Sequence, residues 1–160
     1  LDFGATHEIS PPVVQFYHRL MLAGFAGDDI AIEATIKDIG FIDENTKNNQ
    51  IKQIVHMVKF VFETLEKNLY LDFANTKLAT DLQELVISLA KDGFTPPQLP
   101  IDVLLIQRKF GGMFLLAAKL AARVNVVSLV TDRLKDTVPS YKTNRSFQIN
   151  DNSRQITDEA

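Results

Sequence analysis

The apolar residues of this chain recur every three to four positions along most of its length, and strand-like alternation is nearly absent. That rhythm puts apolar side chains on one face of an α-helix, so the chain is expected to fold as a mainly α protein. Ser10 can cap a first helix, and Pro11 and Pro12 suit its first turn, where no amide hydrogen is needed. Val13, Phe16, Tyr17 and Leu20 then share a face, and Gly24 and Gly27 loosen the helix end. A second helix is expected from about Asp28 to Gly40, with Ile32, Ile36 and Ile39 turned inward. Residues 41–50 are polar and turn-forming. A long amphipathic helix follows, carrying Ile51, Ile54, Val55, Val58, Val61, Phe62 and Leu65, and ends near Asn68. Asn75 or Thr76 can cap the next, whose stripe is Leu78, Leu82, Leu85, Val86 and Leu89. Gly93 stops it, and Pro96, Pro97 and Pro100 hold an extended connector.

Residues 101–122 (IDVLLIQRKFGGMFLLAAKLAA) are apolar around most of the helix circumference, which predicts a buried central helix. A membrane span is excluded, because Asp102, Arg108, Lys109 and Lys119 leave no uninterrupted apolar run of about 18 residues. Gly111-Gly112 should kink this helix or admit a close neighbour. A last short helix is expected from Asn125 to Leu134. The domain is predicted to cover 1–138. Residues 139–160 are polar and of mixed charge, and are expected to form a disordered tail.

At 160 residues the chain is long enough for one domain with a substantial core. Its formal charge of -3 argues against a nucleic-acid-binding surface, which would be basic. It has no cysteine, which excludes disulfides, thiolate metal sites and a thiol nucleophile. His7, His18 and His56 are too far apart in sequence for the usual zinc spacing. The chain begins at Leu1 rather than Met, directly with a motif that normally lies inside a domain. It therefore reads as a piece of a longer protein, with any targeting segment upstream.

That motif is Leu1-Asp2-Phe3-Gly4. In phosphoryl transfer, charge develops on the moving phosphate and the leaving oxygen. Mg²⁺ neutralises it, and a carboxylate must hold the metal. Asp2 is the candidate metal ligand, Phe3 would pack beneath the site, and Gly4 would allow the sharp turn after a strand. The plainer reading is a strand end followed by an ordinary Asp-containing turn.

The flanks add to the motif. LDFGATHEIS, a helix, and AGFAGDDIAIEATIKDIGF occur in that order, and far downstream PPQLPIDVLLIQRKFGGMFLLAAKLAARV follows. Together they resemble the UbiB/AarF family of atypical protein-kinase-like proteins over about residues 1–134. Glu8 matches the acidic residue shortly after the metal motif, Gly27-Asp28 a step into a helix, and Gly40-Phe41 its end. Arg108, Lys109, Gly111 and Gly112 match the late motif. Ordinary protein kinases fit less well, since no Ala-Pro-Glu follows Gly4. The resemblance implies the helical C-lobe of a kinase-like fold, with Asp2 as metal ligand, Phe3 and Gly4 framing it, and Glu8 in support. It also implies Mg²⁺ and ATP as cofactors, in a protein supporting ubiquinone or other isoprenoid-lipid metabolism by ATPase or small-molecule kinase activity. The nucleotide-binding Lys and the catalytic-loop Asp and Asn would lie upstream, so these residues alone should be inactive.

Partners expected on this basis are adenine nucleotide and, further, membrane lipid, a quinone precursor or quinone-biosynthesis proteins. The implied location is the bacterial cytoplasm at the inner membrane, with the mitochondrial matrix side as the alternative. Each residue also has a plainer reading. His7 reads first as a surface histidine, and Glu8 equally well as an exposed loop acid. His18 and His56 read as partly exposed or core-satisfied. Arg108 and Lys109 are expected to pair with acids on a neighbouring helix, the alternative being an anionic lipid headgroup. Asp28-Asp29 reads as a cap with dipole complement, and Phe60-Val61-Phe62 as core. The competing overall reading is a non-catalytic helical module that binds a partner helix or lies on a membrane through residues 101–122.

Overall fold

A computed structural model describes residues 7–137, with six helices and two short strands. The fold is mainly α, as expected. Helix α1 spans Pro11–Ala26 and α2 spans Asp29–Asp38. Between them Gly27 turns left-handed at φ 65°, a conformation glycine adopts without strain. Asp28 caps α2 by accepting a hydrogen bond from the Ala31 amide at 3.0 Å.

Helix α3 spans Asn48–Lys67, starting three residues before the apolar periodicity does. The Gln50 side chain explains the early start. Its Oε1 accepts from the Lys47 amide at 3.1 Å, while its Nε2 donates to the Asp92 carbonyl at 3.0 Å. A residue read as polar loop is thus buried as a brace between two helix ends. Helix α4 spans Leu78–Lys91. Thr76 Oγ1 accepts from the Leu78 amide, one of the two capping groups expected there.

The core forms where α1, α2 and α3 meet, with α4 laid against α3. Ala23, Ile32, Ile36, Ile42, Ile54, Val55 and Leu89 are its buried members. Val86, expected on the inward stripe of α4, is half exposed instead. Helices α1 and α3 approach closely at Gly24. A Cβ added at Gly24 would lie 2.2 Å from the Phe62 ring, and that ring also packs edge-on against Phe25 at 4.8 Å.

Helix α5 spans Ile101–Lys119, and here the structure corrects the sequence. It is not a buried central helix. Only Asp102 and Val103 are buried, while Leu104, Phe110, Met113, Leu115, Leu116 and Leu120 are exposed. Beyond its first turn, edge-on ring contacts tie it to the body, Phe110 to Tyr17 and Phe114 to Phe73. The helix runs unbroken through Gly111-Gly112, and nothing lies within 4 Å of where a Cβ would stand on either. The close neighbour expected there is not present among the described residues.

Two strands were not expected. β1 (Leu71–Asp72) pairs antiparallel with β2 (Arg123–Val124), with Leu71 opposite Val124. This clip joins the segment after α3 to the one after α5. Helix α6 spans Val126–Thr137, capped by Asn125 Oδ1, which accepts from the Ser128 amide at 2.9 Å. No helix is long and apolar enough to cross a membrane among the described residues. Residues 139–160, predicted as a tail, lie outside those residues.

Candidate functional site

Asp2, Phe3 and Gly4 lie outside the described residues, so the site is approached from the chain that follows them. That chain reaches α1 through His7, Glu8, Ile9 and Ser10, and it is fastened at Asp102 in the first turn of α5. Asp102 is set there by Pro100, which precedes the helix, and it complements the positive end of the helix dipole.

Its two carboxylate oxygens take separate partners. Oδ1 accepts from His7 Nε2 at 2.7 Å. Oδ2 accepts from the Ser10 hydroxyl at 2.5 Å and from the Ser10 amide at 2.8 Å. Ser10 is the N-cap of α1, but its hydroxyl makes no bond to the helix it precedes. The hydroxyl is turned to Asp102, so one carboxylate serves the N-termini of two helices at once. The Ser10 hydroxyl bond, then His7, then the Ser10 amide hold the Asp102 carboxyl down at about 2, below its ordinary 3.8. It is an anion at any physiological pH.

The same three side-chain types make up a hydrolase triad, but this arrangement cannot work as one. In a triad the histidine stands between the hydroxyl and the acid and removes the hydroxyl proton. Here His7 and Ser10 bind opposite oxygens of the acid. The cluster is an anchor, and it fastens the chain at His7 and Ser10 to the first turn of α5.

The remaining predicted residues fall into two places. Glu8 is exposed, in the short segment between His7 and Ser10. Arg108, Lys109, Gly111 and Gly112 lie on the exposed side of α5. The acid partners expected for Arg108 and Lys109 are not there, and neither side chain takes part in an ion pair among the described residues. Ion pairs form elsewhere, among them Arg19 with Asp38 at 2.8 Å, Lys59 with Asp29 at 2.9 Å and Lys67 with Glu63 at 3.4 Å. Asp29 is therefore an ion-pair partner as well as a first-turn acid. His7, read as a surface residue, is half exposed but anchored, and His56 is exposed. Among the described residues no group of three or more His, Cys, Asp or Glu side chains could hold a metal ion.

Sequence reasoning passed over Asp102, using it only as a charge that interrupts an apolar run. The available signal was an acid just after Pro100 at the head of an otherwise apolar helix. Its partners lie 92 and 95 residues away, a distance no local pattern spans.

Comparison with known proteins gives one informative relative. The chain is 30% identical over 125 residues to the atypical kinase coq-8, mitochondrial, of Caenorhabditis elegans. The match takes in 78% of this chain but 16% of that relative, about a sixth of its length. No family model matches the chain, and no solved structure does. The relative matches the family that the ordered motifs of the sequence resemble, and the helical architecture agrees with it, so the chain belongs to the UbiB-like atypical kinase family.

Proposed function

We propose that this chain is the helical C-lobe portion of a Mg²⁺- and ATP-dependent kinase-like protein that supports ubiquinone or related isoprenoid-lipid metabolism. The observation that carries this reading is the similarity to a mitochondrial atypical kinase over most of the chain. In this reading Asp2 holds the metal, Phe3 and Gly4 frame it, and Glu8 lies close by. The metal would neutralise charge on the transferring phosphate. The part of this chain that the fold supports is mechanical. Asp102 fixes His7 and Ser10, so the chain after the metal motif enters α1 from a set position.

Transfer to a small molecule and simple ATP hydrolysis both fit this reading. The partners would be adenine nucleotide and, beyond it, a quinone precursor or quinone-biosynthesis proteins. The relative's printed location favours the mitochondrion over a bacterial inner membrane; a place on its matrix side is part of this proposal.

The test is a thermal shift with Mg-ATP on the longer protein, wild type beside Asp2→Asn. A ligand bound only by the native state adds about 2.7 kcal/mol at 100 times its dissociation constant. A clear shift that is lost in the variant would support the role of Asp2. A shift retained in Asp2→Asn would remove it.

The exposure of α5 favours a second reading, a module whose work is to bind through that helix. Nucleotide-independent function of the Asp2→Asn protein in cells would select it.

A further inference from the structure

Helices α2 and α3 pack against each other, and the rows they turn to a shared depression carry opposite charge. Asp29 and Glu33 stand one turn apart on α2, while Lys52, His56 and Lys59 recur at steps of four and three on α3. The depression between the rows is open and has a volume of about 400 Å³. Sites for small molecules commonly hold about 300–1,000 Å³. Its apolar lining is Val55, which is buried, and Ile30, which is exposed.

The charges say what fits there. One end of the two rows is already closed, since Lys59 donates to Asp29 at 2.9 Å. Glu33, Lys52 and His56 take part in no ion pair among the described residues. The depression therefore offers an unpaired carboxylate from one helix and an unpaired ammonium from the other. His56 adds a ring N–H donor in either neutral tautomer. A simple anion would meet Glu33 as well as Lys52, and a simple cation would meet Lys52 as well as Glu33. A molecule with one charge of each sign and an apolar stretch between them escapes both repulsions. Ile30 and Val55 supply the surface for that stretch. At 1.5 Å per residue Lys52 and Lys59 lie about 10 Å apart along α3, room for a chain of several methylenes.

We propose that the depression between α2 and α3 binds an ω-amino acid, a small molecule with an ammonium at one end, a carboxylate at the other and an apolar chain between. Glu33 takes the ammonium, Lys52 and His56 take the carboxylate, and Ile30 and Val55 cover the methylenes. The Lys59–Asp29 pair bounds the site at one end. Nothing in this binding requires the phosphate chemistry proposed for Asp2.

The test titrates the full, isotope-labelled chain with ε-aminocaproate and follows the backbone amide resonances. Saturable shifts are expected at residues 29–33 and 52–59, and high salt should weaken them. Caproate and hexylamine each keep one of the two charges. Both should bind about fivefold more weakly, about what one exposed ion pair contributes. Glu33→Gln and Lys52→Gln should each cause a loss of similar size. Both side chains are exposed and lie outside the core, so either variant keeps the fold, which circular dichroism checks. Glu84→Gln, on α4, should bind as wild type does. Three results would overturn the proposal. One is no saturable shift at α2 and α3 in the folded protein. Another is equal binding of caproate or hexylamine, which would make the depression a surface for single ions. The third is undiminished binding by folded Glu33→Gln and Lys52→Gln proteins.

Discussion

The ring of Phe62 occupies the space a side chain at Gly24 would need, with ring carbons 2.2 Å from the position of a Cβ. Both residues are buried, and the ring is held on another side by Phe25. Gly24→Ala would ordinarily favour a helix by up to about 1 kcal/mol. Here the overlap is with a packed ring, and relieving it must separate α1 from α3. Overpacking of this kind costs roughly 1–3 kcal/mol, so the substitution should be net destabilising. Chemical denaturation of Gly24→Ala checks this. Adding Phe62→Leu to the same chain should recover part of the loss, because the second change vacates the space. A Gly24→Ala protein as stable as wild type would mean that α1 and α3 do not approach this closely.

Asp102 should make stability depend on pH in the acid range. Its folded-state carboxyl is held down at about 2, against 3.8 for the free group. A depressed carboxyl stabilises the fold fully above its unfolded value, and the contribution is lost as pH falls through the folded value. The window is therefore about pH 4 down to pH 2. Asp43 and Asp72 are also held low, by Thr46 and Asn75 respectively, and will melt out nearby. The comparison with Asp102→Asn isolates the one group. The variant should unfold at a lower temperature than wild type at neutral pH, and the gap should close toward pH 2. A gap constant across the range would show that the charge on Asp102 contributes nothing.

Two neighbours on α2 should respond oppositely to the same change. Ile32 is fully buried and Ile30 is 83% exposed, although they are two residues apart. Ile32→Ala leaves a cavity among Ala23, Ile36 and Ile54 and should cost about 2–5 kcal/mol. Ile30→Ala should fall within about 0.5 kcal/mol of wild type. Equal effects would mean that α2 is rotated about its axis from the orientation described.

Much of the helical fold was legible because its signals are local. Ser10-Pro11, Asp28 and Gly93 mark helix ends by the chemistry of caps and turns, and the structure uses each of them at an end. Ile32, Ile36, Ile54 and Val55 follow from periodicity alone, and all are buried. The failures share a different cause. Periodicity says that a helix has an apolar face but not what lies against it, so it places α5 at the centre, whereas little covers that helix. The β1–β2 clip is two residues long on each side, too short to carry an alternation. The anchor at Asp102 joins positions 92 and 95 residues apart, and it diverts the Ser10 hydroxyl from the cap that sequence assigned it. Of the candidate site, the sequence marked the metal motif, while the anchor that holds the chain beyond it became visible only in three dimensions.

The reversal at α5 gives the last prediction. If residues 101–122 formed a buried core helix, every leucine in it would be costly to remove. The structure instead separates Val103, which is fully buried, from Leu115, which is 71% exposed. Val103→Ala deletes apolar groups from a filled site and should cost about 1–3 kcal/mol. Leu115→Ala takes little from the interior and should stay within about 0.5 kcal/mol. Leu115→Gln should do the same while lowering the tendency to aggregate, since it breaks an apolar patch in contact with water. Denaturation midpoints of the three variants, measured without lipid, decide the matter. A large loss for Leu115→Ala would put the outward face of α5 inside a packed interface and would return that helix to the centre of the fold.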